Sequence, residues 1–228
     1  MFRSEILWFF NVVKVTFLNK KGIKDLQKKG MNKRNLDNEE IKKYIEMSRK
    51  YLNRLNIKED KKFTLNGELE RHLRYSRFSE KYVKELLNEI LMHMNLNAEN
   101  IELNVKYVSS KYALKFVGAY SGKDKNFDKP MITINIKNDM TMENVISILA
   151  HECTHHLLIS NNIRLENTRR EECLTDVTTV LLGFGDFLVK GFEISNRVTY
   201  ESEFKRYVDK NSIGYLTSND IKYVMKHI

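Results

Sequence analysis

The sequence of 228 residues is poor in cysteine and holds two thiols, Cys153 and Cys173. Two cysteines are too few for a small secreted module held together by several disulfides, so we expect a reducing compartment and a cytoplasmic protein. A single bridge between the two thiols is left open. The chain also has one proline, and it shows no internal repeat. Its hydrophobic fraction of 42% is typical of a globular protein with a packed core.

The sequence lacks a hydrophobic run that would span a membrane. The apolar run over residues 6–18 is about 13 residues long and contains Lys14, whereas a spanning helix needs about 20. It also lacks the basic start and the small-residue cleavage site of a signal peptide. We favour a strand or helix that packs on the domain. The alternative is a helix that lies in a membrane surface, because Trp8 and the phenylalanines are followed by lysines.

Acidic residues are scarce near the N-terminus. Residues 1–62 contain 17 Lys or Arg and 8 Asp or Glu, whereas residues 63–228 contain 22 of each, so the whole net charge of +9 lies in the first segment. We therefore divide the chain into a basic, partly helical N-terminal arm (1–62) and a neutral domain (63–228). The arm favours an anionic membrane surface as a partner over nucleic acid, since it lacks the interleaved aromatics of a single-strand binder. Solvated helix faces would also account for its lysines.

Hydrophobic periodicity predicts helices, then a small sheet, then further helices, which is an α+β fold. The predicted helices cover residues 38–56, 79–94, 141–159 and 169–182. The predicted strands cover residues 101–107, 112–117 and 131–137. Glycines at 183 and 185 break the pattern, and residues 193–228 are predicted to be helical with a turn at 212–214. Thr217 or Ser218 is expected to cap the last helix.

The residues that point to chemistry form a His-Glu-x-x-His pattern, His151-Glu152-x-x-His155, within an apolar helix. At about 100° per residue, His155 lies about 40° around the axis from His151, so both imidazoles can bind one ion. Glu152 stands beside that position, where a carboxylate can take a proton from a water at the metal. Two histidines and a glutamate are costly to bury without a partner, which favours a metal site over solvated polar residues.

A catalytic zinc takes three protein ligands, so a third ligand is expected downstream of the two histidines. Thr168 and Glu171 have the spacing of a helix-capping box, which would engage the Glu171 carboxylate and leave Glu172 as the third ligand. Asp176 lies one turn further along the same face, where it could accept the other N–H of a ligand histidine. The sequence thus predicts one Zn²⁺ per chain.

His151-Glu152-x-x-His155 followed by Glu172-x-x-x-Asp176 resembles the gluzincin class of zinc metallopeptidases. The resemblance implies a minimal zincin-like domain, with a small sheet, an active-site helix and a second ligand-bearing helix. It also implies a zinc-dependent hydrolase that cleaves peptide bonds of a peptide or protein substrate. In such an enzyme Glu152 is the general base for a zinc-activated water, and Asp176 holds a ligand histidine.

The resemblance covers about residues 100–185 and implies two further features. A Tyr or His later in the chain is expected to steady the tetrahedral intermediate. Tyr200, Tyr215 and His227 are candidates, and among them we favour Tyr215 because it lies in a turn beside a glycine. The alternative for Tyr215 is an aromatic side chain that only packs. The strand over 131–136 is expected to pair with an extended peptide substrate.

The main alternative is a regulatory or binding protein on a zincin fold, whose basic arm docks to a membrane or to nucleic acid. Glu152 favours the enzyme, because a purely structural zinc site needs no base. The arm could also block the cleft, as in a latent protease. His156 and Cys153 point away from the His151 face and are expected to be core or, for His156, interfacial residues. Cys173 is adjacent to Glu172 but not on its face, so we do not expect it to bind the metal, and thiolate ligation is the alternative.

Overall fold

The structure is a computed structural model, and it describes residues 36–59, 62–75, 78–109, 117–122, 128–195, 199–202, 205–208 and 214–228. Several sequence predictions lie outside these residues: the apolar run 6–18, the basic residues up to 35, the strand residues 112–116, and positions 212–213 of the turn.

Helices and a small sheet make up the described chain, so the predicted α+β class is confirmed. In chain order the elements are α1 (Asn38–Arg54), α2 (Gly67–Tyr75), α3 (Glu80–His93), β1 (Glu102–Val108), β2 (Gly118–Ser121), β3 (Met131–Lys137), α4 (Met142–Ser160), α5 (Thr168–Thr179), α6 (Gly185–Ser195), β4 (Thr199–Ser202), β5 (Lys205–Val208) and α7 (Ser218–Met225). Among the helices that the structure describes, none combines the length and hydrophobicity of a membrane-spanning segment.

The three-stranded sheet has β3 at its centre. β1 pairs with β3 in parallel and β2 pairs with it antiparallel, in the order β1-β3-β2. β3 is buried from Ile132 to Lys137, as expected for a strand covered on both faces. Since both edges of β3 carry partner strands, its main chain cannot pair with a substrate as predicted for 131–136. Within the described residues, β2 pairs with β3 alone and forms an edge of the sheet.

Helix α4 is the central helix of the fold. Thr141 caps it in a capping box with Asn144, and 15 of its 19 residues are buried. A helix that is buried on nearly all sides must be surrounded by other elements, and α4 packs against β2, α5 and α6. Its burial makes α4 a rigid support for any polar side chains that it carries.

Helix α1 belongs to the same core, although the sequence placed it in the basic arm. Ile41, Ile45 and Leu52 are each at most 3% exposed. The Ser48 hydroxyl lies 2.9 Å from the hydroxyl of Thr178 on α5, which pairs two buried polar groups at the contact. The division of the chain at residue 62 stays a prediction, but α1 is part of the folded body.

Two predictions of local structure are wrong. Helix α5 is capped by Asn167, whose side chain accepts hydrogen bonds from the N–H groups of Arg169 and Arg170. The predicted box between Thr168 and Glu171 is therefore displaced by one residue, because asparagine caps a helix as well as threonine does. The predicted helical stretch 193–228 is interrupted by β4 and β5, which pair as an antiparallel hairpin. Thr217 caps α7, as predicted.

Candidate metal centre

Three side chains from α4 and α5 converge on one point. The Nε2 atoms of His151 and His155 lie 3.1 Å apart. Oε2 of Glu172 lies 3.1 Å from the first nitrogen and 3.3 Å from the second. This group could hold a metal ion, and it contains the three residues that the sequence predicted as ligands.

Asp176 sets the orientation of His151. Its Oδ1 atom lies 2.9 Å from Nδ1 of His151, and both side chains are buried. Asp176 Oδ1 is the close partner of Nδ1 and a carboxylate can only accept, so Nδ1 of the imidazole carries the proton, although the two atoms are not aligned as a regular hydrogen bond. In the neutral ring Nε2 then presents its lone pair to Glu172 and His155. Asp176 therefore occupies the position expected for a group that orients a ligand histidine.

Thr175 sets the orientation of His155 and was not predicted from the sequence. Its hydroxyl donates to the carbonyl oxygen of Glu171 at 2.9 Å and lies 3.3 Å from Nδ1 of His155. A hydroxyl has one proton, and the carbonyl can only accept, so the Thr175 oxygen accepts from Nδ1–H. The lone pair of His155 Nε2 then also faces the site. A search for hydroxyls one turn after Glu172 would have found this residue.

The donor set fits a cation. Two imidazole lone pairs and one carboxylate oxygen face one another at 3.1 to 3.3 Å, and the protons of both rings are engaged elsewhere. With both rings neutral, these three acceptors repel unless a proton at Nε2 or a metal ion supplies positive charge between them. Zinc–ligand bonds are about 2.0–2.1 Å, so the edge of a zinc tetrahedron is about 3.3–3.4 Å. The observed separations are close to that value, so the residues present fit one such ion.

The pKa values of the same groups show how strongly their charges are coupled. Burial alone would lower the pKa of His151, but its contacts with Asp176 and Glu172 outweigh burial and raise it well above 6.5. Burial would raise the pKa of Glu172, but its contacts with His151 and His155 hold it well below the ordinary value. The centre thus keeps the Glu172 carboxylate ionised and attracts positive charge.

Glu152 lies between the ligands and the sheet edge. Its side chain is buried, and its carboxylate accepts a hydrogen bond from the backbone N–H of Tyr120 in β2. Burial raises the pKa of Glu152, while the two neighbouring histidines partly oppose that rise. Gly118 leaves room for the Glu152 side chain, because a Cβ at this position would lie 2.6 Å from Oε1 of Glu152 and 2.5 Å from Cγ2 of Ile148.

The main chain of β2 points to the free edge at alternate residues. Asn135 N–H donates to the carbonyl of Val117, just before β2, at 2.8 Å. In an antiparallel pair, alternate residues bond to the partner strand, so residues 117, 119 and 121 direct their main-chain groups towards β3. The N–H and C=O groups of Gly118 and Tyr120 therefore point away from β3. Since Tyr120 N–H reaches Glu152, this edge passes directly beside the candidate base.

His156 belongs to a different contact. It is buried, and its Nδ1 lies 3.1 Å from the hydroxyl of Tyr120. Burial lowers its pKa, so the neutral ring is favoured. His156 follows Glu152 by one helical turn, so both side chains lie on the same side of α4. Tyr120 and Gly118 lie on one face of β2, and this face covers His156 and Glu152. The structure thus places His156 in the packing between α4 and β2.

The three candidates for a later catalytic side chain differ in position. Tyr215 lies next to Asp176 through its main chain, and its side chain is 45% exposed. Partial burial and the negative charge of Glu172 raise the pKa of its phenol. His227 lies elsewhere: its Nδ1 is 2.8 Å from the carbonyl of Tyr223, one turn earlier. The side chain of Tyr200 lies outside the described residues.

The two cysteines are buried and free, so they form no bridge with each other. Burial raises the pKa of the Cys173 thiol to about 12, which disfavours the thiolate that a metal requires. Cys153 is likewise fully buried on α4, and burial raises its pKa well above 9.0. Both behave as small core residues.

The candidate centre therefore lies between α4 and α5, where the Nε2 atoms of His151 and His155 and the Oε2 atom of Glu172 converge. Asp176 and Thr175 orient the histidines, and Glu152 lies at the sheet edge. Compared with models of known protein families, with curated proteins and with solved structures, the chain matches none.

Proposed function

We propose that this protein is a zinc-dependent hydrolase, and that its activity is cleavage of peptide bonds. One observation carries the proposal: a convergent pair of imidazoles and a carboxylate lies beside a separate buried carboxylate, Glu152. A metal site with a structural role would have no use for that second carboxylate and would take a fourth protein ligand. The described cluster has three ligands, which suits a catalytic site.

Zinc is the metal that this donor set favours. Two imidazole nitrogens and one carboxylate oxygen are a common ligand set of catalytic zinc. His151, His155 and Glu172 would hold the ion. When bound, it would supply Lewis acidity, which polarises a carbonyl group and lowers the pKa of water.

Glu152 would act as the general base and then as the general acid. It would accept a proton from the attacking water and deliver it to the leaving amine. Burial raises the pKa of this carboxyl above its ordinary value, which brings the base closer to the working pH. Tyr120 N–H and the space at Gly118 hold the carboxylate in place.

The edge of β2 supports a peptide as the substrate class. An extended peptide can add to a free strand edge through main-chain hydrogen bonds. Since Glu152 already accepts from Tyr120 N–H, the outward groups that remain for a peptide are the N–H and C=O of Gly118 and the C=O of Tyr120, and a paired peptide would lie across the metal centre. β2 thereby takes the role that the sequence assigned to strand 131–136. A sheet edge, an active-site helix and a second ligand-bearing helix together support a zincin-like arrangement.

Tyr215 is proposed to donate a hydrogen bond to the tetrahedral intermediate. Partial burial and the charge of Glu172 raise the pKa of its phenol, so the hydroxyl keeps its proton at neutral pH. An oxyanion is stabilised by such a preorganised donor. Tyr215 is exposed enough to meet a substrate and close enough to Glu172 for their charges to interact.

The test is hydrolysis of a mixed fluorogenic peptide library by the zinc-loaded protein and by a Glu152→Gln variant. Glutamine has the shape of glutamate but cannot take the proton. We expect Glu152→Gln to retain one zinc per chain and to lose activity by about 10²–10⁴-fold. If that variant cleaves as fast as the parent, the proposed mechanism is wrong. Equal zinc contents in the two proteins separate a lost base from a lost metal.

The alternative, a regulatory or binding protein, draws on the charge of the N-terminal residues. Residues 1–35 contain 9 Lys or Arg and 2 Asp or Glu. Because α1 packs into the core, the proper comparison is the full chain against a variant that lacks residues 1–35. Co-sedimentation with anionic vesicles and with DNA, at low and high salt, would distinguish the partners. Equal binding by the two proteins would leave these residues without an electrostatic role.

A further inference from the structure

The Asp176 carboxylate contacts two distant parts of the chain at once. One carboxylate oxygen faces His151, as described above. The other, Oδ2, accepts hydrogen bonds from the backbone N–H of Tyr215 at 2.6 Å and of Leu216 at 2.9 Å. These donors lie 39 and 40 residues further along the chain. The segment Gly214–Leu216, hereafter the C-terminal turn, therefore touches the group that orients a metal ligand.

Gly214 allows this approach in two ways. Its φ angle is +74°, in the left-handed region that favours glycine. A Cβ at this position would lie 2.6 Å from Oδ2 and 2.7 Å from Cγ of Asp176. Any other residue would therefore be strained in its backbone and would collide with the carboxylate that the turn binds.

The C-terminal turn is anchored by the start of α7. Leu216 is 1% exposed, and Thr217 caps the helix through a reciprocal pair of hydrogen bonds with Asp220. Ile221 and Val224 on the same helix are also buried. The two N–H donors are thus presented by a packed element and do not depend on a free loop.

We propose that the C-terminal turn is a positioning element of the metal centre, so that zinc affinity depends on the docking of Gly214–Leu216 onto Asp176. Asp176 is 2% exposed in the folded chain, and without the turn its Oδ2 would lose both of these backbone donors. Such a carboxylate is expected to rotate away from His151 to find a partner. By linkage, zinc binding must in turn stabilise the docked turn. The inference rests on the zinc site of the proposed function.

The first test compares Gly214→Ala with Gly67→Ala by zinc competition against a chromophoric chelator. Gly67 is the matched control, because no atom lies within 4 Å of a Cβ placed there. We expect Gly214→Ala to bind zinc about 10–100-fold more weakly than the parent, and Gly67→Ala to match the parent. Parental affinity in Gly214→Ala would overturn this inference alone. A parent that binds no zinc would overturn it together with the proposed function.

The second test needs no variant, so it stays decisive if Gly214→Ala fails to fold. Amide hydrogen exchange is measured on the full chain with and without zinc. We expect zinc to slow exchange of the Tyr215 and Leu216 amides by about tenfold or more, in line with the affinity change above. The Glu68 amide at the start of α2, which donates to the side chain of Asn66, serves as the control and should not change. Unchanged exchange at Tyr215 and Leu216 in a zinc-loaded protein would overturn the coupling.

Discussion

The Thr175 hydroxyl lies 3.3 Å from Nδ1 of His155 and gives its single proton to the carbonyl of Glu171. The imidazole must therefore donate at Nδ1, and its Nε2 lone pair is directed at the centre. The next residue, Asp176, does the same for His151. One turn of α5 thus supplies Glu172, the candidate third ligand, and the partners of both histidines, so α4 and α5 together carry the candidate metal centre.

Thr175→Val should weaken zinc binding by about tenfold, because valine has the same shape but cannot accept the Nδ1 proton of His155. The measurement is chelator competition at constant pH. Thr175→Ser keeps the hydroxyl and is expected to bind zinc nearly as the parent does. If valine and serine at this position give equal zinc affinities, the hydroxyl has no orienting role.

Gly118→Ala should impair hydrolysis and leave zinc in place. The added Cβ would collide with Glu152 and Ile148, so the base or the strand edge must shift, whereas no ligand is touched. We expect a loss of about tenfold or more in kcat/KM, since small misplacement of a catalytic group is costly. Gly122→Ala is the control, because a Cβ there meets Tyr120 at an ordinary 3.8 Å. Full activity in Gly118→Ala would argue against Glu152 as the base in this position.

Tyr215→Phe should lower kcat and leave both KM and zinc content near the parental values. Phenylalanine keeps the ring and the backbone N–H that Asp176 accepts, and removes only the hydroxyl. Loss of one oxyanion donor costs about 10²–10³-fold in kcat. Steady-state kinetics with a cleaved peptide give the answer. Unchanged kcat would remove Tyr215 from the mechanism and leave it as a packed aromatic at the turn.

The stability of the zinc-free protein should fall as the pH rises above neutrality. The folded pKa of His151 is raised above 6.5, so its ion pairs stabilise the fold fully below that pH and are lost as the pH rises through the folded value. The pKa of Glu172 is lowered, so its contribution is present above about 4.5 and is lost at lower pH. Stability in chelator should therefore peak between these limits.

The change of stability with pH is measured by urea unfolding of the protein in chelator, at about pH 6 and about pH 9. His151→Gln cannot take the proton and should flatten the fall between the two pH values. Zinc should reverse the slope, because its ligands must be deprotonated to bind. A parent and a His151→Gln variant with the same pH dependence in chelator would contradict the charge coupling derived from Asp176 and Glu172.

The three metal-ligand candidates could be predicted from the sequence because helix geometry is regular. His151 and His155 are one turn apart, and Glu172 and Asp176 are also one turn apart on the next helix. The choice of Glu172 over Glu171 rested on a capping box that the structure does not contain. Asn167 and Thr168 are both good caps, and sequence alone does not decide between neighbours.

The order of the strands could not be predicted, because pairing between distant strands depends on the whole fold. Periodicity located β1 and β3 within one residue, but it did not indicate that β3 is central. Helix α2 was missed, although its buried Leu69 and Leu73 are one turn apart, because it is only nine residues long. The positioning roles of Thr175 and of the C-terminal turn depend on contacts across the fold, which spacing along the chain does not reveal.

The central claim is that Glu172 and the two histidines bind one zinc ion. The most direct test is the zinc content of purified protein by plasma mass spectrometry, for the parent, Glu172→Gln and the matched control Glu171→Gln. We expect about one zinc per chain in the parent and in Glu171→Gln, and a large loss in Glu172→Gln. No zinc in the parent after zinc-replete expression, or equal zinc in the two variants, would contradict the proposed centre.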